Sequence, residues 1–374
     1  MHIEATYTVL ALTQMWVNNQ RDNRYNAIGV MSGTSHDGLD LCFAEYSFTN
    51  QGCSYRIIKA RTVEYDQSLR QSLMNAYNLS GRELSKLNAW YGVWIAKKIN
   101  EFKLTINEPI DVIGSHGHTI FHDPKNGYST QIGSGAHIAA EAGIDCICDF
   151  RSGDIARGGQ GAPLVPIGDE LLFPNYNICL NIGGIANLSY STNGHRVAYD
   201  ICPANMALNR LMQLHYSISY DKDGVLGRRG NIDESLLEKL NSLDYYHNKE
   251  SKSLGREWFE STFQPLVDNH NANIEDKLRT LYEHIALKIS ESLTIKKSGT
   301  VLLTGGGAKN SFLTDLIDEK TNNTIIIPSD EVIDFKEALI FGFLAILYLR
   351  KTPTSLASVT GASANSIGGC LYYH

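Results

Sequence analysis

Ile28-Gly-Val-Met-Ser-Gly-Thr-Ser-His-Asp-Gly-Leu-Asp40 is the stretch from which the rest of the chain is best read. An apolar run, Ile28 to Met31, gives way to a turn rich in Gly and Ser, and a second strand-like run, Leu39 to Tyr46, follows. That pattern predicts a strand-turn-strand hairpin. Glycine lets the backbone turn sharply and present consecutive N–H groups, while small hydroxyl side chains add donors. Gly33, Thr34, Ser35, His36, Asp37, Gly38, Leu39 and Asp40 are therefore a candidate cradle for a polyphosphate. A carboxylate beside phosphate is unfavourable without a cation between them, so Asp37 and Asp40 point to Mg2+ held through oxygen. Taken alone, the segment also reads as an ordinary Gly/Ser hairpin.

Two further glycine-rich turns follow apolar runs. Cys179-Leu-Asn-Ile-Gly-Gly-Ile-Ala-Asn187 is again flanked by strand-like runs and offers Asn181, Gly183 and Gly184. Val301-Leu-Leu-Thr-Gly-Gly-Gly-Ala-Lys-Asn310 leads from a strand into a helix and offers Gly305, Gly306 and Gly307. Neither G-x-x-x-x-G-K-[ST] nor G-x-G-x-x-G occurs, which removes support for P-loop and Rossmann sites. Other predicted strands are 57–63, 112–114, 144–148 and 324–327, and predicted helices are 69–77, 83–102, 206–216, 274–293, 310–318 and 335–349. The alternation is that of an α/β protein.

Bulk properties narrow the partners. The chain has 374 residues, 43% of them hydrophobic, enough for two or three domains with sizeable cores. Its net charge of -7 lacks the positive field that drives nucleic-acid or anionic-membrane binding. Seven cysteines without C-x-x-C spacing fit neither a disulfide framework nor a zinc ribbon and suit a reducing cytoplasm. The apolar run Ala338 to Leu349 is far short of the roughly 20 residues needed to span a bilayer. Residues 1–26 read as an extension without a signal peptide's basic start. His116, His118 and His122 cluster closely, but without an accompanying H-E-x-x-H helix a zinc site is not expected.

The order of the three turns resembles the two phosphate motifs and the adenosine motif of the actin, sugar-kinase and heat-shock ATPase superfamily. The words Met31-Ser-Gly-Thr-Ser-His-Asp-Gly-Leu-Asp40, Ser115-His-Gly-His-Thr119, Gln131-Ile-Gly133, Asp149-Phe-Arg151, Gly158-Gly-Gln-Gly-Ala-Pro-Leu-Val-Pro166, Asn181-Ile-Gly-Gly-Ile-Ala-Asn187 and Ser358-Val-Thr-Gly-Ala-Ser363 resemble, in order, segments of the anhydro-N-acetylmuramic acid kinases. The resemblance implies two actin-like (ribonuclease H-like) lobes with an ATP and sugar cleft between them. It also implies a kinase of peptidoglycan recycling that opens 1,6-anhydro-N-acetylmuramic acid with water and transfers the γ-phosphoryl of ATP to O6.

The residues then take expected roles. Asp200, in the segment matching the family's Asp-Thr-Gly-Pro-Gly-Asn, is the expected base, against a plain reading as a turn or N-cap aspartate before the helix at Met206. Glu337, at the head of the late apolar helix, is a second catalytic candidate. The resemblance assigns Ser115, His116, Gly117 and Thr119 to the sugar, and Arg151 to the lactyl carboxylate. It departs from the family at Ile201, Cys202 and Ala204, and at His118 where the family has Gln. Those changes keep open a divergent amino-sugar kinase or a catalytically impaired sugar- and ATP-binding homologue; a chaperone-type ATPase would need a peptide-binding domain for which the chain leaves no room. The expected partition is lobe I at 27–148 plus 352–374 and lobe II at 149–351. Expected ligands are ATP, Mg2+ and the sugar, and a homodimer is compatible with the sequence.

Overall fold

The computed structural model describes residues 23–33, 38–247 and 253–374. Thr34, Ser35, His36 and Asp37 of the first glycine-rich turn, and residues 1–22 of the extension, lie outside the described residues. In chain order the strands are β1 (Arg24–Ser32), β2 (Gly38–Thr49), β3 (Gly52–Glu64), β4 (Val112–Asp123), β5 (Tyr128–Ile132), β6 (Cys146–Cys148), β7 (Ile178–Ile182), β8 (Ile185–Thr192), β9 (His195–Pro203), β10 (Thr300–Thr304), β11 (Thr324–Ile326) and β12 (Cys370–Tyr372). The helices that matter below are α1 (Gly81–Lys103), α2 (Val165–Leu172), α3 (Asn205–Tyr216), α4 (Ile274–Leu293), α5 (Ser311–Lys320) and α6 (Asp330–Leu349).

The described residues gather into two compact units. One holds those up to Phe173 with Thr192–Arg196 and Phe335–His374, and the other holds Pro174–Ser191 and Val197–Asp334. In the first unit the sheet order is β12-β6-β4-β1-β2-β3, with β5 paired to β4. Strands β1, β2 and β3 run antiparallel in sequence, while β4 and β6 are parallel to β1 and β4 respectively. In the second unit the order is β11-β10-β7-β8-β9, with β7 and β8 antiparallel and β10 parallel to both β7 and β11. Each sheet thus carries antiparallel neighbours on one side of its first strand and parallel ones on the other, the topology of an actin-like (ribonuclease H-like) lobe. The first and second glycine-rich turns leave the carboxyl ends of these two first strands, β1 and β7.

Local sequence explains the elements. Apolar Ile28, Val30, Leu39 and Leu41 are fully buried in the first core, and Ile178, Leu180, Ile182 and Leu188 in the second. Helix α1 starts at a capping box in which Ser80 and Glu83 satisfy each other's backbone N–H groups, two donors that would otherwise be orphaned. The strand-like run that ends at Asp200 in the sequence is β9, which continues to Pro203, whereas β5 and β12 have no strand pattern. Their residues mix polar and apolar types without a clean alternation.

Residues 149–173 and 335–351, expected with the second lobe, pack with the first. The reason is two glycines opposite one another in the parallel pair β1 and β4, Gly29 and Gly114. A Cβ at Gly29 would overlap the Ala338 carbonyl, and one at Gly114 that of Phe341, so α6 lies with its backbone directly on these strands. The Tyr46 hydroxyl donates to the Leu339 carbonyl at 2.6 Å, and its ring stacks on Phe343. Gly168 of α2 admits the Ile340 side chain in the same way. Close approach of this kind leaves no pattern in the apolar periodicity of α6, which is hydrophobic nearly all round.

Candidate active site

In the first unit, β1 ends at buried Ser32, immediately before the first turn. Its hydroxyl lies 2.7 Å from the Tyr65 hydroxyl, 2.9 Å from that of Tyr91 and 2.9 Å from His118 Nδ1. Tyr65 and Tyr91 also share a 2.7 Å hydrogen bond. A buried, mutually satisfied polar cluster of this sort fixes side-chain positions, because any broken partner would be left desolvated. Neither tyrosine carries a sequence signal; Tyr65 follows β3 and Tyr91 sits on α1, and only the fold brings them to Ser32.

Beyond the undescribed stretch, Gly38 opens β2 and Asp40 pairs with Thr62, whose hydroxyl donates to Asp40 Oδ1 at 2.6 Å. Asp40 is half-buried, and its oxygens suit a hard cation that keeps most of its water shell. Leu39 is fully buried in the core, so only its backbone faces the turn.

The Ser115–Thr119 word lies within β4, which continues well beyond its expected end. Ser115 is fully buried with a hydroxyl that has no hydrogen-bond partner among the described residues. At Gly117 φ is +72°, and a Cβ there would lie 2.6 Å from the Ile132 carbonyl, so the position requires glycine. The His116 ring uses Nδ1–H to donate to the Gly117 carbonyl at 2.8 Å, which leaves Nε2 to accept from Arg151 Nη2 at 2.7 Å and from Nε at 3.3 Å. Burial, and next the Arg151 charge, hold the His116 pKa well below its ordinary value, so the ring stays the neutral acceptor this bond needs. His116 therefore holds Arg151, His118 bonds Ser32, and His122 bonds Ser129 at 3.1 Å. Thr119 accepts from Gln131 Nε2 at 3.2 Å.

Arg151 also donates from Nη1 to the Gly161 carbonyl at 2.6 Å. Burial lowers its pKa to about 10, opposed by the Glu337 charge, and at neutral pH it remains a cation. Glu337 is exposed at the first-unit part of α6, yet desolvation by the surrounding protein raises its pKa against the pull of Lys336 and Arg151.

In the second unit, Asn181 and Asn187 face each other across β7 and β8 at the base of the second turn. The Gly184 carbonyl accepts from the N–H of Ala204 at 2.8 Å and of Met206 at 3.1 Å, and the Gly183 carbonyl from that of Asn205 at 3.2 Å. The turn thereby caps the start of α3 with its carbonyls. Asn205 Nδ2 donates to the Ile182 carbonyl at 3.2 Å, and a Cβ at Gly306 would lie 3.7 Å from that same nitrogen, so the second and third turns adjoin. Gly307 is buried against Ile182, leaving Gly305 and Gly306 as the open part of the third turn. Gly305 has φ +81°, and a Cβ would lie 2.6 Å from Asn181 Oδ1. Gly305→Ala is expected to cost about 1–3 kcal/mol of stability, measured by thermal unfolding.

Asp200 lies within β9, and the residue capping α3 is Ala204, so the plain N-cap reading of Asp200 does not hold. Its Oδ2 accepts from the Leu254 N–H at 2.8 Å, Ser253 hydrogen-bonds the carboxylate, and the Tyr245 hydroxyl donates to the Asp200 backbone carbonyl at 2.6 Å. Burial raises the Asp200 pKa, and the bonds from Leu254 and Ser253 only partly offset it. The neighbouring Ile201, Cys202 and Ala204 are buried in the second core, and Ala204 has φ -124°, so a side chain there meets no left-handed strain. The contacts of Ser253, Leu254 and Tyr245 with Asp200 had no signal in the sequence, since they arise from segments about 50 residues away.

The sequence profile of the anhydro-N-acetylmuramic acid kinases matches residues 24–374. The anhydro-N-acetylmuramic acid kinase of Vibrio vulnificus is 35% identical over 366 residues, covering 92% of this chain and 97% of its own. Those of Pseudomonas savastanoi pv. phaseolicola and Nitrosomonas europaea are 35% and 32% identical over 92% of this chain, and 98% and 99% of their own lengths are covered. With a profile that runs from β1 to the last residue and relatives 32–35% identical over 92% of its length, the chain belongs to the anhydro-N-acetylmuramic acid kinase family.

Proposed function

We propose that the chain uses ATP to convert 1,6-anhydro-N-acetylmuramic acid into N-acetylmuramic acid 6-phosphate, the family's step in peptidoglycan recycling, with Asp200 as the base. Asp200 takes a proton from water, whose oxygen forms a bond to C1 as the C1–O6 bond breaks. The electron pair left on O6 forms the new bond to the γ-phosphorus, and ADP leaves. An inverting glycosidase needs a second carboxylic acid to protonate its leaving oxygen. Here phosphorus accepts that oxygen, so one carboxylate base suffices.

The observation that carries this reading is the Asp200 carboxyl itself, held in place by Leu254 and Ser253 and made more basic by burial. A carboxylate with a raised pKa is a stronger proton acceptor than an ordinary one. The first turn with Gly33, Gly38 and Asp40 and the second and third turns with Gly183, Gly184, Gly305 and Gly306 offer backbone N–H groups to the phosphates. Mg2+, when bound, neutralises charge on the transferring phosphoryl group, and Asp40 would hold it through its water shell. Ser115, with its unpartnered buried hydroxyl, and Thr119 would contact the sugar, Arg151 its lactyl carboxylate, and Glu337 a sugar hydroxyl or the attacking water.

No helix among the described residues is long and apolar enough to cross a membrane. The test is incubation with Mg·ATP and 1,6-anhydro-N-acetylmuramic acid in 18O water. The expected product is heavier than the substrate by one phosphoryl group and one water, with the label at C1. Phosphorylation without added water, or label elsewhere, would refute the mechanism.

A further inference from the structure

Two of the family-like words, Gly158 to Pro166 and Ser358 to Ser363, contain no residue to which the reaction above gives a role. In the first unit they meet at Asp154, a fully buried carboxylate that neither the glycine-rich turns nor the sugar-contact word includes. Asp154 Oδ2 accepts from the Gly161 N–H at 2.8 Å, and Asp154 Oδ1 accepts from the Thr360 hydroxyl at 2.8 Å. The Gln160 N–H donates to the Thr360 carbonyl at 2.8 Å, which ties the two words along their backbones as well, and the Ser363 N–H donates at 3.0 Å to the carbonyl of Arg157, the residue just before the first word. Gly159 has no room for a side chain because a Cβ would strike the Asp154 carboxylate. The Gly161 peptide is thus fixed on its N–H side, and on its carbonyl side it accepts from Arg151 Nη1.

Arg151 has five N–H groups. His116 Nε2 takes one on Nε and one on Nη2, and the Gly161 carbonyl takes one on Nη1. One N–H remains on each terminal nitrogen, the pair with which a guanidinium grips a carboxylate in bidentate fashion. A fork is selective only if its plane is fixed. His116, itself held by the Gly117 carbonyl, fixes one edge of the guanidinium, and the Gly161 carbonyl adds a second point of attachment on Nη1.

We propose that Asp154 and Thr360 are positioning residues for Arg151: by fixing the Gly161 peptide they hold the guanidinium fork aimed at a carboxylate, and so set the preference for the lactyl-bearing anhydrosugar over the same sugar without its lactyl ether. This rests on the sugar reading proposed above, and it predicts selectivity rather than rate. Asp154 and Thr360 touch neither the reacting carbon nor phosphate.

The experiment is calorimetric titration of the intact protein, without ATP, with 1,6-anhydro-N-acetylmuramic acid and separately with 1,6-anhydro-N-acetylglucosamine. Wild type is expected to bind the first more tightly. Thr360→Val should weaken that binding about ten-fold while leaving the neutral sugar unchanged, and Thr360→Ser, which keeps the hydroxyl, should restore it. Asp154→Asn should match Thr360→Val if it folds, and the Thr360 pair carries the test if it does not. Equal weakening for both sugars would mean that Thr360 only supports the fold, and no weakening would mean that it does not act on Arg151; either overturns the inference, as does a wild type without preference for the carboxylate. Turnover is scored separately: a wild type that binds with this selectivity but adds no water or phosphate sinks the proposed reaction and leaves the binding inference standing.

Discussion

Asp200→Asn is expected to lower kcat by about 10³-fold with little change in the KM of either substrate. Loss of a positioned general base removes roughly 10²–10⁴-fold of rate, and the amide keeps the shape of the carboxylate and one oxygen to accept the Leu254 N–H. Single-turnover product formation measures the effect directly. In wild type, kcat/KM should fall as pH drops through the raised Asp200 pKa, and this acid limb should vanish from the residual activity of the variant. Undiminished turnover would remove Asp200 from the mechanism.

The same substitution should stabilise the protein near neutral pH. A carboxyl whose pKa is raised by burial holds its proton in the folded state over a window in which the unfolded chain, with an ordinary value of about 3.9, has already lost it. Stability contributed by the neutral form is therefore present at low pH and is lost as pH rises through that window. Asn stays neutral throughout. The gain in Tm should be seen at pH 7 and should disappear well below pH 4, where Asp200 is protonated in both states. An active site that keeps a charge against its surroundings for the sake of basicity has this signature.

Gly29→Val should have an effect of a different kind, loss of the folded first unit or destabilisation by more than about 3 kcal/mol. Overpacking an ordinary core costs typically about 1–3 kcal/mol because side chains can move aside. At Gly29 the obstacle is the Ala338 carbonyl of α6, and the neighbouring strand offers Gly114 against Phe341, so relief requires lifting the helix from both strands at once. Thermal unfolding of Gly29→Val and Gly114→Val, beside Gly81→Val, where a Cβ meets nothing within 4 Å, checks this. Near-wild-type Tm values for the first two would mean that α6 does not lie against β1 and β4.

Much of the fold is legible in local pattern. The apolar runs of β1, β2, β7 and β8 and the glycine-rich turn between each pair predict hairpins, and the observed registers close them at Ser32 opposite Leu39 and Ile182 opposite Ala186. The third turn reads as a strand-to-helix junction and is one. Asp200 is a candidate base through the family-like segment that contains it, and its altered neighbours Ile201, Cys202 and Ala204 keep a divergent or impaired homologue open. The tertiary structure shows Ile201, Cys202 and Ala204 as core residues, none of them with a positive φ. Residues 149–173 and 335–351 read as part of the second lobe because sequence proximity was the only guide, and a glycine-mediated helix-on-strand contact is invisible until both partners are in place.

For this protein the sequence by itself determined the family, the two α/β sheets and the positions of the glycine-rich turns, all of which rest on residues close together in the chain. The hydrogen bonds of the polar residues around those turns are decided by the tertiary structure: His116 Nε2 accepts from Arg151, Ser32 is tied to Tyr65, Tyr91 and His118, and Asp154 and Thr360 stand behind Gly161. Hydrogen bonds are directional and act over about 3 Å, so their partners are set by where distant segments are brought together and not by any local periodicity.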